Sequence, residues 1–509
     1  MTSYSFFLDY TILADHFEPV IQEKRKKYEG ENHFPHGIVP YLERNEQTME
    51  EKKVSLVKSI LFTICSVLVL DSFVASSAIG VSSITIWLIT TVLFFLPYGL
   101  VTAELGSNYP GDGGIYLWIR RAFGDKIGVL NGWFYWVNVA FWMPAVFVAF
   151  SSWFSYAFMP NASPVFLAGL ALVMCWLIVY IGIRGVDLSV TVTNIAAIFK
   201  VGVLLIFGFM GIVYAIQHGT ANDFSASSFI PTPGNTVRYI SVIIYNLLGF
   251  ELIGSIGSQI DNPGKTIPKM TVVAGVIISA LYIFGTYGVL VAIPANQIDT
   301  VDGFYYALLE LCKVFGSMQM PVFYVIILVS MSTLISNMVS WTLGANEVFI
   351  AAKLDQRNRF LKHRSAKYGT PDGLYYFMGV VATLLIIINY ATTGDANAIF
   401  WTIFSFSVII LMIPYLFMFP AAIILRKKDP NMKRIYQVPG GMTGLIICSV
   451  LGEACLILSI ILMFVTAESS FVVGTYVVGT IITLALGILL YRSKEQISDE
   501  DPPHVPDET

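Results

Sequence analysis

Charge is what this sequence has least of: 13% of its 509 residues are Asp, Glu, Lys or Arg, against 56% hydrophobic. That balance excludes a soluble globular domain. The 30 Lys and Arg residues stand in short clusters between apolar runs and not on one face, so there is no nucleic-acid footprint. Cysteine is sparse and odd in number. The five residues, Cys65, Cys175, Cys312, Cys448 and Cys455, show no CxxC or metal spacing, which excludes a disulfide framework and leaves them as small core residues. Six histidines, His16, His33, His36, His218, His363 and His504, all fall outside the apolar runs. A membrane-embedded enzyme would want a base or metal ligand there, and a channel a ring of charge or a symmetric pore helix. No cleavable signal peptide is visible, since the first 50 residues are mixed and charged and the first long apolar run begins near Ser55.

What is present is a series of apolar runs of spanning length, about 20 residues. Twelve are counted, at 56–80, 85–105, 128–156, 164–183, 189–215, 237–258, 271–294, 321–351, 374–391, 396–425, 440–466 and 471–491. With the N-terminus inside, 27 of the 30 basic residues fall on the cytoplasmic side, Arg238 and Lys313 outside, and Lys200 within the fifth run. The reading is an all-α polytopic membrane protein with 12 transmembrane helices and both termini in the cytoplasm. Residues 1–54 form a cytoplasmic extension, or an over-long start with Met49 as the natural beginning. Helices 1–10 occupy 55–426, helices 11 and 12 occupy 427–493, and the acidic tail 494–509 is expected to be disordered.

An ionised group at bilayer depth costs roughly 2.5–3.5 kcal/mol and needs a partner or a purpose. Asp71, Lys200 and Glu251 stand out, and their positions suggest a common polar centre. Asp71 is followed by small residues in "LVLDSFVASSAIG", and Glu251 stands beside glycines in "YNLLGFELIGSIGSQIDNPGKTIPKM". Two such runs, in the first and sixth spans, match a design with inverted repeats in which broken helices hold substrate at the midplane. The bland reading is a pair of kinks relieved by Ser side chains.

"AELGSNYPGDGGIYLWIRRAFGDKIGVLNGW" (103–133) resembles the loop after the second span in the amino acid/polyamine/organocation superfamily, and "GFELIGSIGSQIDNPGKTIPK" (249–269) resembles its sixth span and following loop. "FWMPAVF" (141–147), "SWTLGANEVFIAAK" (340–353) and "YQVPGG" (436–441) are most similar to the glutamate:GABA antiporter branch. The resemblance implies a LeuT-type 5+5 inverted repeat with discontinuous helices 1 and 6. It puts Tyr245 at an aromatic gate, Trp341 at a matching aromatic position, and Glu251 at a carboxylate linked to proton coupling or pH sensing. Lys200 matches a lysine standing where sodium-driven relatives hold an ion, so no sodium requirement is expected.

The first span departs from the pattern. Where relatives carry a Gly-Ser-Gly type cradle, this chain has Asp71, Ser72 and Phe73. Asp71 is then protonated, paired with Lys200, or used to attract a cationic ligand. Ser76, Asn246 and Gly249 join the substrate-binding candidates on the two broken spans. Asn138, Trp142, Asn337 and Trp401 are pocket candidates whose alternative is interhelical hydrogen bonding or packing. The function expected is sodium-independent exchange of an amino acid for its decarboxylation product across the plasma membrane. A proton-coupled symporter of the same fold is the rival. Partners are small-molecule amino acids and amines and membrane lipids, with no nucleic acid; the chain is a monomer or homodimer, and no cofactor or metal is expected.

Overall fold

The computed structural model describes residues 53–70, 72–299, 302–392, 396–467 and 469–492. Among them there is no strand, only two isolated bridges, Val54 to Ile260 and Asp112 to Ile256. Among the described residues ten helices are long and apolar enough to cross a membrane, and two shorter apolar ones, Leu56–Val67 and Asp372–Ile388, accompany them. Both short ones lie on runs read as spans from the sequence.

The first run is short because it breaks. Helix α1 (Leu56–Val67) ends at Leu68 in extended backbone, and a 3-10 turn takes up Val74–Ile79. The second crossing is α2 (Ser82–Thr90) and α3 (Leu96–Asn108) joined through a π-helical turn, Thr91–Phe95. Then come α4 (Ile115–Phe123), α5 (Asp125–Phe158), α6 (Pro164–Ile183) and α7 (Val186–His218). Helix α8 (Pro233–Asn246) breaks like α1, and a 3-10 turn, Phe250–Ser255, follows it. The remainder is α9 (Pro263–Ala292), α10 (Gly303–Leu311), α11 (Gln319–Ala351), α12 (Asp372–Thr392), α13 (Ala396–Lys428), α14 (Gly441–Val465) and α15 (Ser470–Arg492).

Gly249 makes the second break. Its φ is +127°, and a Cβ there would lie 3.2 Å from both Trp341 Cζ2 and Val67 Cγ2, so conformation and space both call for glycine. The break brings the 3-10 turn after Gly249 against the end of α1.

Packing divides the helices by neighbourhood. Helix α9 lies along α1 and α3, while α5 packs on α13, α11 and α6. Helices α7 and α11 pack on each other and both meet α1. The broken end of α1 therefore stands among α7, α9 and α11, where side chains from several helices can reach it. Helix α4 and helix α10 were not visible as apolar runs. Each is nine residues long and buries one face only, Ile115, Tyr116, Trp118 and Ile119 in α4, and Phe304, Ala307, Leu308 and Leu311 in α10.

Candidate functional site

A broken helix exposes carbonyls that have no intrahelical donor. Those at the end of α1 are taken one by one by side chains from other helices. Lys200 of α7 donates to Cys65 O at 2.6 Å, to Leu68 O, and to Asn337 Oδ1 of α11 at 3.0 Å. Trp341 Nε1 of α11 donates to Ser66 O at 3.0 Å. The hydroxyl of Tyr282 on α9 lies 2.7 Å from Val67 O and 3.1 Å from Asn246 O, and accepts from Val69 N at 2.9 Å. Tyr282 thus ties the two breaks together, and Lys200 and Trp341 tie the first to α7 and α11. A second link between the breaks runs from Ser72 Oγ to Asn246 Oδ1, at 2.6 Å.

Glu251 is fully enclosed in the second break. Its Oε1 accepts from Tyr135 Oη of α5 at 2.7 Å and its Oε2 from Tyr98 of α3. Tyr98 also accepts the amides of Gly249 (3.1 Å) and Phe250 (2.9 Å). Tyr415 of α13 is the third phenol facing the carboxyl, with its ring edge-on to Tyr98 at 5.7 Å.

Between these groups lies a run of aromatic rings. Tyr135 is stacked on Trp341 at 6.1 Å, Trp341 meets Trp142 edge-on at 5.4 Å, and Trp142 meets Tyr245 edge-on at 5.9 Å. The indole N–H of Trp142 and the amide nitrogen of Asn246 are enclosed with no acceptor among the described residues. Trp341 is thus at once a cap on α1 and a wall of the aromatic cluster.

The remaining candidates fall around this centre. Ser76 Oγ donates to Phe73 O at 2.6 Å and accepts from Trp87 Nε1 at 3.2 Å, so it braces the 3-10 turn. Phe73 packs at 6.1–6.4 Å from Phe207, Tyr282 and Phe304, a second aromatic group beside α10. Asn138 Nδ2 donates to Ser407 O of α13 at 2.7 Å, a bond between helices. Asp71 lies outside the described residues, as does the side chain of Trp401.

Of the three intramembrane charges expected in a common centre, Lys200 and Glu251 are described. Lys200 is engaged by the first break and Glu251 by phenols at the second; Trp341 and Tyr135 connect them. Tyr98, Tyr135 and Tyr282 were not singled out from the sequence, where a tyrosine in an apolar helix carries no distinguishing signal. Also unread was a buried cluster at the C-terminal end of α3. There Glu104 binds Arg426 of α13 through Nε at 2.7 Å and through Nη2, and accepts Val438 N at 2.7 Å. Asn108, one turn on, takes Ile435 N at 2.8 Å and donates to Tyr436 O at 2.7 Å.

Residues 54–486 match the family described as amino acid permease. The chain belongs to that family. It is 34% identical over 463 residues to a probable agmatine/putrescine antiporter of Lactococcus lactis, covering 89% of this chain and 97% of the relative. A glutamate/gamma-aminobutyrate antiporter of the same species is 23% identical, over 83% of this chain and 85% of the other. Among solved structures, a manganese transporter of Eremococcus coleocola has a similar fold, with a TM-score of 0.57 at 12% identity, covering 91% of this permease and 95% of that chain. The permease is a multi-pass membrane protein of the amino acid/polyamine/organocation superfamily, and the resemblance to glutamate:GABA antiporters stands.

Proposed function

We propose that this permease exchanges an amino acid for its decarboxylated amine across the plasma membrane, without sodium and with both termini in the cytoplasm. The observation that carries the sodium independence is the engagement of Lys200 with carbonyls of the first break and with Asn337, where a fixed ammonium does the cross-linking an ion would do. The paired substrates in the names of the two antiporters support exchange. Agmatine and putrescine are cations without a carboxylate, which suits a first span carrying Asp71 in place of a carboxylate cradle.

Twelve spans arranged as two inverted sets of five plus two would let the first, second, sixth and seventh spans rock against the rest. Substrate then lies against Asp71, Ser72, Phe73 and Ser76 of the first span and Tyr245, Asn246 and Gly249 of the sixth, with Trp341, Asn138 and Trp142 opposite. Glu251 is the group whose protonation couples to the cycle. Cation–π contact with Tyr245, Trp142 and Trp341 is worth about 0.5–2 kcal/mol per ring.

Counterflow tests the proposal. Liposomes loaded with a high concentration of unlabelled amine should accumulate labelled partner amino acid, equally in sodium, potassium and choline buffers. Accumulation driven by an imposed proton gradient into empty vesicles would replace exchange by symport.

A further inference from the structure

The hydrogen-bond capacity of one phenol determines where a proton can sit on Glu251. A tyrosine hydroxyl has one proton to give and two lone pairs to receive. The hydroxyl of Tyr98 receives two N–H groups, from Gly249 and Phe250, at the point where the second broken helix restarts. Both lone pairs are spent on these buried backbone amides. Its single proton is therefore committed to Glu251 Oε2. A proton on Oε2 would set a third donor against the same hydroxyl oxygen and strand the proton of Tyr98 in an enclosed site.

The Tyr135 side is free of that constraint. Among the described hydrogen bonds its hydroxyl makes one, to Oε1 at 2.7 Å. It can reverse, donating to the carboxylate in one state and accepting from the carboxylic acid in the other. We propose that Tyr98 is a positioning residue that keeps the exchangeable proton of Glu251 out of the bond between them, so that protonation is signalled through the other phenols, foremost Tyr135, whose hydroxyl is bonded to Oε1. Tyr135 is stacked on Trp341, which holds Ser66 O at the end of α1 and meets Trp142. The signal thus enters the aromatic cluster and the first break together, while the link from Glu251 to the restart of the second helix stays intact. Among the described residues, the titratable groups facing Glu251 are Tyr98 from α3, Tyr135 from α5 and Tyr415 from α13.

This inference rests on Glu251 being the proton-coupled group of the proposed exchanger, and the test separates the two. Exchange in liposomes is followed against pH for the wild type, Tyr98→Phe, Tyr135→Phe and Glu251→Gln, with thermal unfolding in detergent confirming that each is folded. Losing the Tyr98 donor removes a charge-assisted bond from the carboxylate. Tyr98→Phe should then keep a pH-dependent rate with its midpoint displaced upward by about one pH unit. Tyr135→Phe should flatten the profile, and Glu251→Gln should be pH-independent. A Tyr98→Phe midpoint equal to that of the wild type, whatever the rate, overturns the proposal, as does the reverse pattern, with Tyr98→Phe flat and Tyr135→Phe still pH-dependent. A wild-type profile that is already flat, or one that survives Glu251→Gln, overturns the coupling role of Glu251 and this inference with it.

Discussion

Lys200→Ala tests the fixed-ammonium role most directly. The ammonium serves Cys65 O, Leu68 O and Asn337 Oδ1, with all four residues buried. Each acceptor left without a donor costs about 1–3 kcal/mol, while removing a buried cation recovers several kcal/mol of desolvation. Water entering the space of the deleted side chain satisfies part of the debt. The balance is a loss of roughly 2–4 kcal/mol, within the margin that leaves a protein folded. Exchange should nevertheless vanish, because the end of α1 loses its hydrogen-bonded tie to α7 and keeps that of Trp341 to α11 without the ammonium beside it. The three oxygens left behind are ligands of the kind a small hard cation accepts. Sodium chloride should therefore raise the unfolding temperature of Lys200→Ala in detergent, while potassium and choline chlorides should not, and none of the three should move the wild type. Purified protein in matched ionic strengths, read by intrinsic fluorescence on heating, gives the comparison, and the same preparations in liposomes give the transport. Wild-type exchange that falls several-fold without sodium would refute the reasoning. So would a Lys200→Ala variant that transports normally.

Tyr245→Ala should weaken amine binding several-fold, from the roughly 0.5–2 kcal/mol of a cation–π contact, and equilibrium binding to purified protein measures it. Asp71→Asn should cost the decarboxylated amine roughly ten- to a hundred-fold in affinity and the zwitterionic amino acid far less, whereas equal losses in the binding assay would make the residue part of a structural ion pair. Arg426→Met should destabilise the protein by about 2–3 kcal/mol, since it removes the bidentate partner of a buried carboxylate and leaves it Arg434 at 3.9 Å and the amide of Val438. Adding Glu104→Gln should recover most of that loss in thermal unfolding, and a double variant no better than the single would argue against the pairing.

The bilayer made much of this architecture legible. A fixed hydrocarbon thickness turns apolar run length into span number, so each long helix falls on an expected run. Both breaks were readable for the same reason: Asp71 and a string of small residues in one run, and Glu251 among glycines in the other, are expensive in hydrocarbon unless the helix has a purpose for them. Lys200 stood out because an ammonium in an apolar run is costly. The side chains that complete the site carry no such mark. Tyr98, Tyr135 and Tyr282 sit in helices where phenols are ordinary, and their importance lies in where their hydroxyls point. Helices α4 and α10 were hidden because each buries a single face and neither is long enough to read as a span. Lys200 and Glu251, expected in one polar centre with Asp71, are hydrogen-bonded at different breaks and are linked through Tyr135 and Trp341, while Asp71 lies outside the described residues.

The backbone accounting at the first break bears on which ligands are favoured. In transporters with broken helices, freed carbonyls and amides are the natural partners of an amino acid's ammonium and carboxylate. Here the carbonyls of residues 65–68 already have donors, and Val69 N already has an acceptor. An α-amino acid therefore finds little backbone to bind at the end of α1, and recognition falls to side chains and aromatic rings, a setting that favours a cationic amine. Tyr282→Phe reverses part of this without changing the ring. It releases Val67 O as an acceptor and Val69 N as a donor, one for each end of a zwitterion. It also preserves the stacking of the ring on Trp87 at 4.4 Å. The variant should shift preference from amine toward amino acid by up to about ten-fold, the equivalent of a net hydrogen bond or two. Competition between an amino acid and its own decarboxylation product for binding to the purified variant measures the shift. A Tyr282→Phe protein that binds both ligands more weakly by the same factor would show the hydroxyl to be a brace between the breaks and no more. One that shifts toward the amine would mean that the ligand never approaches the end of α1.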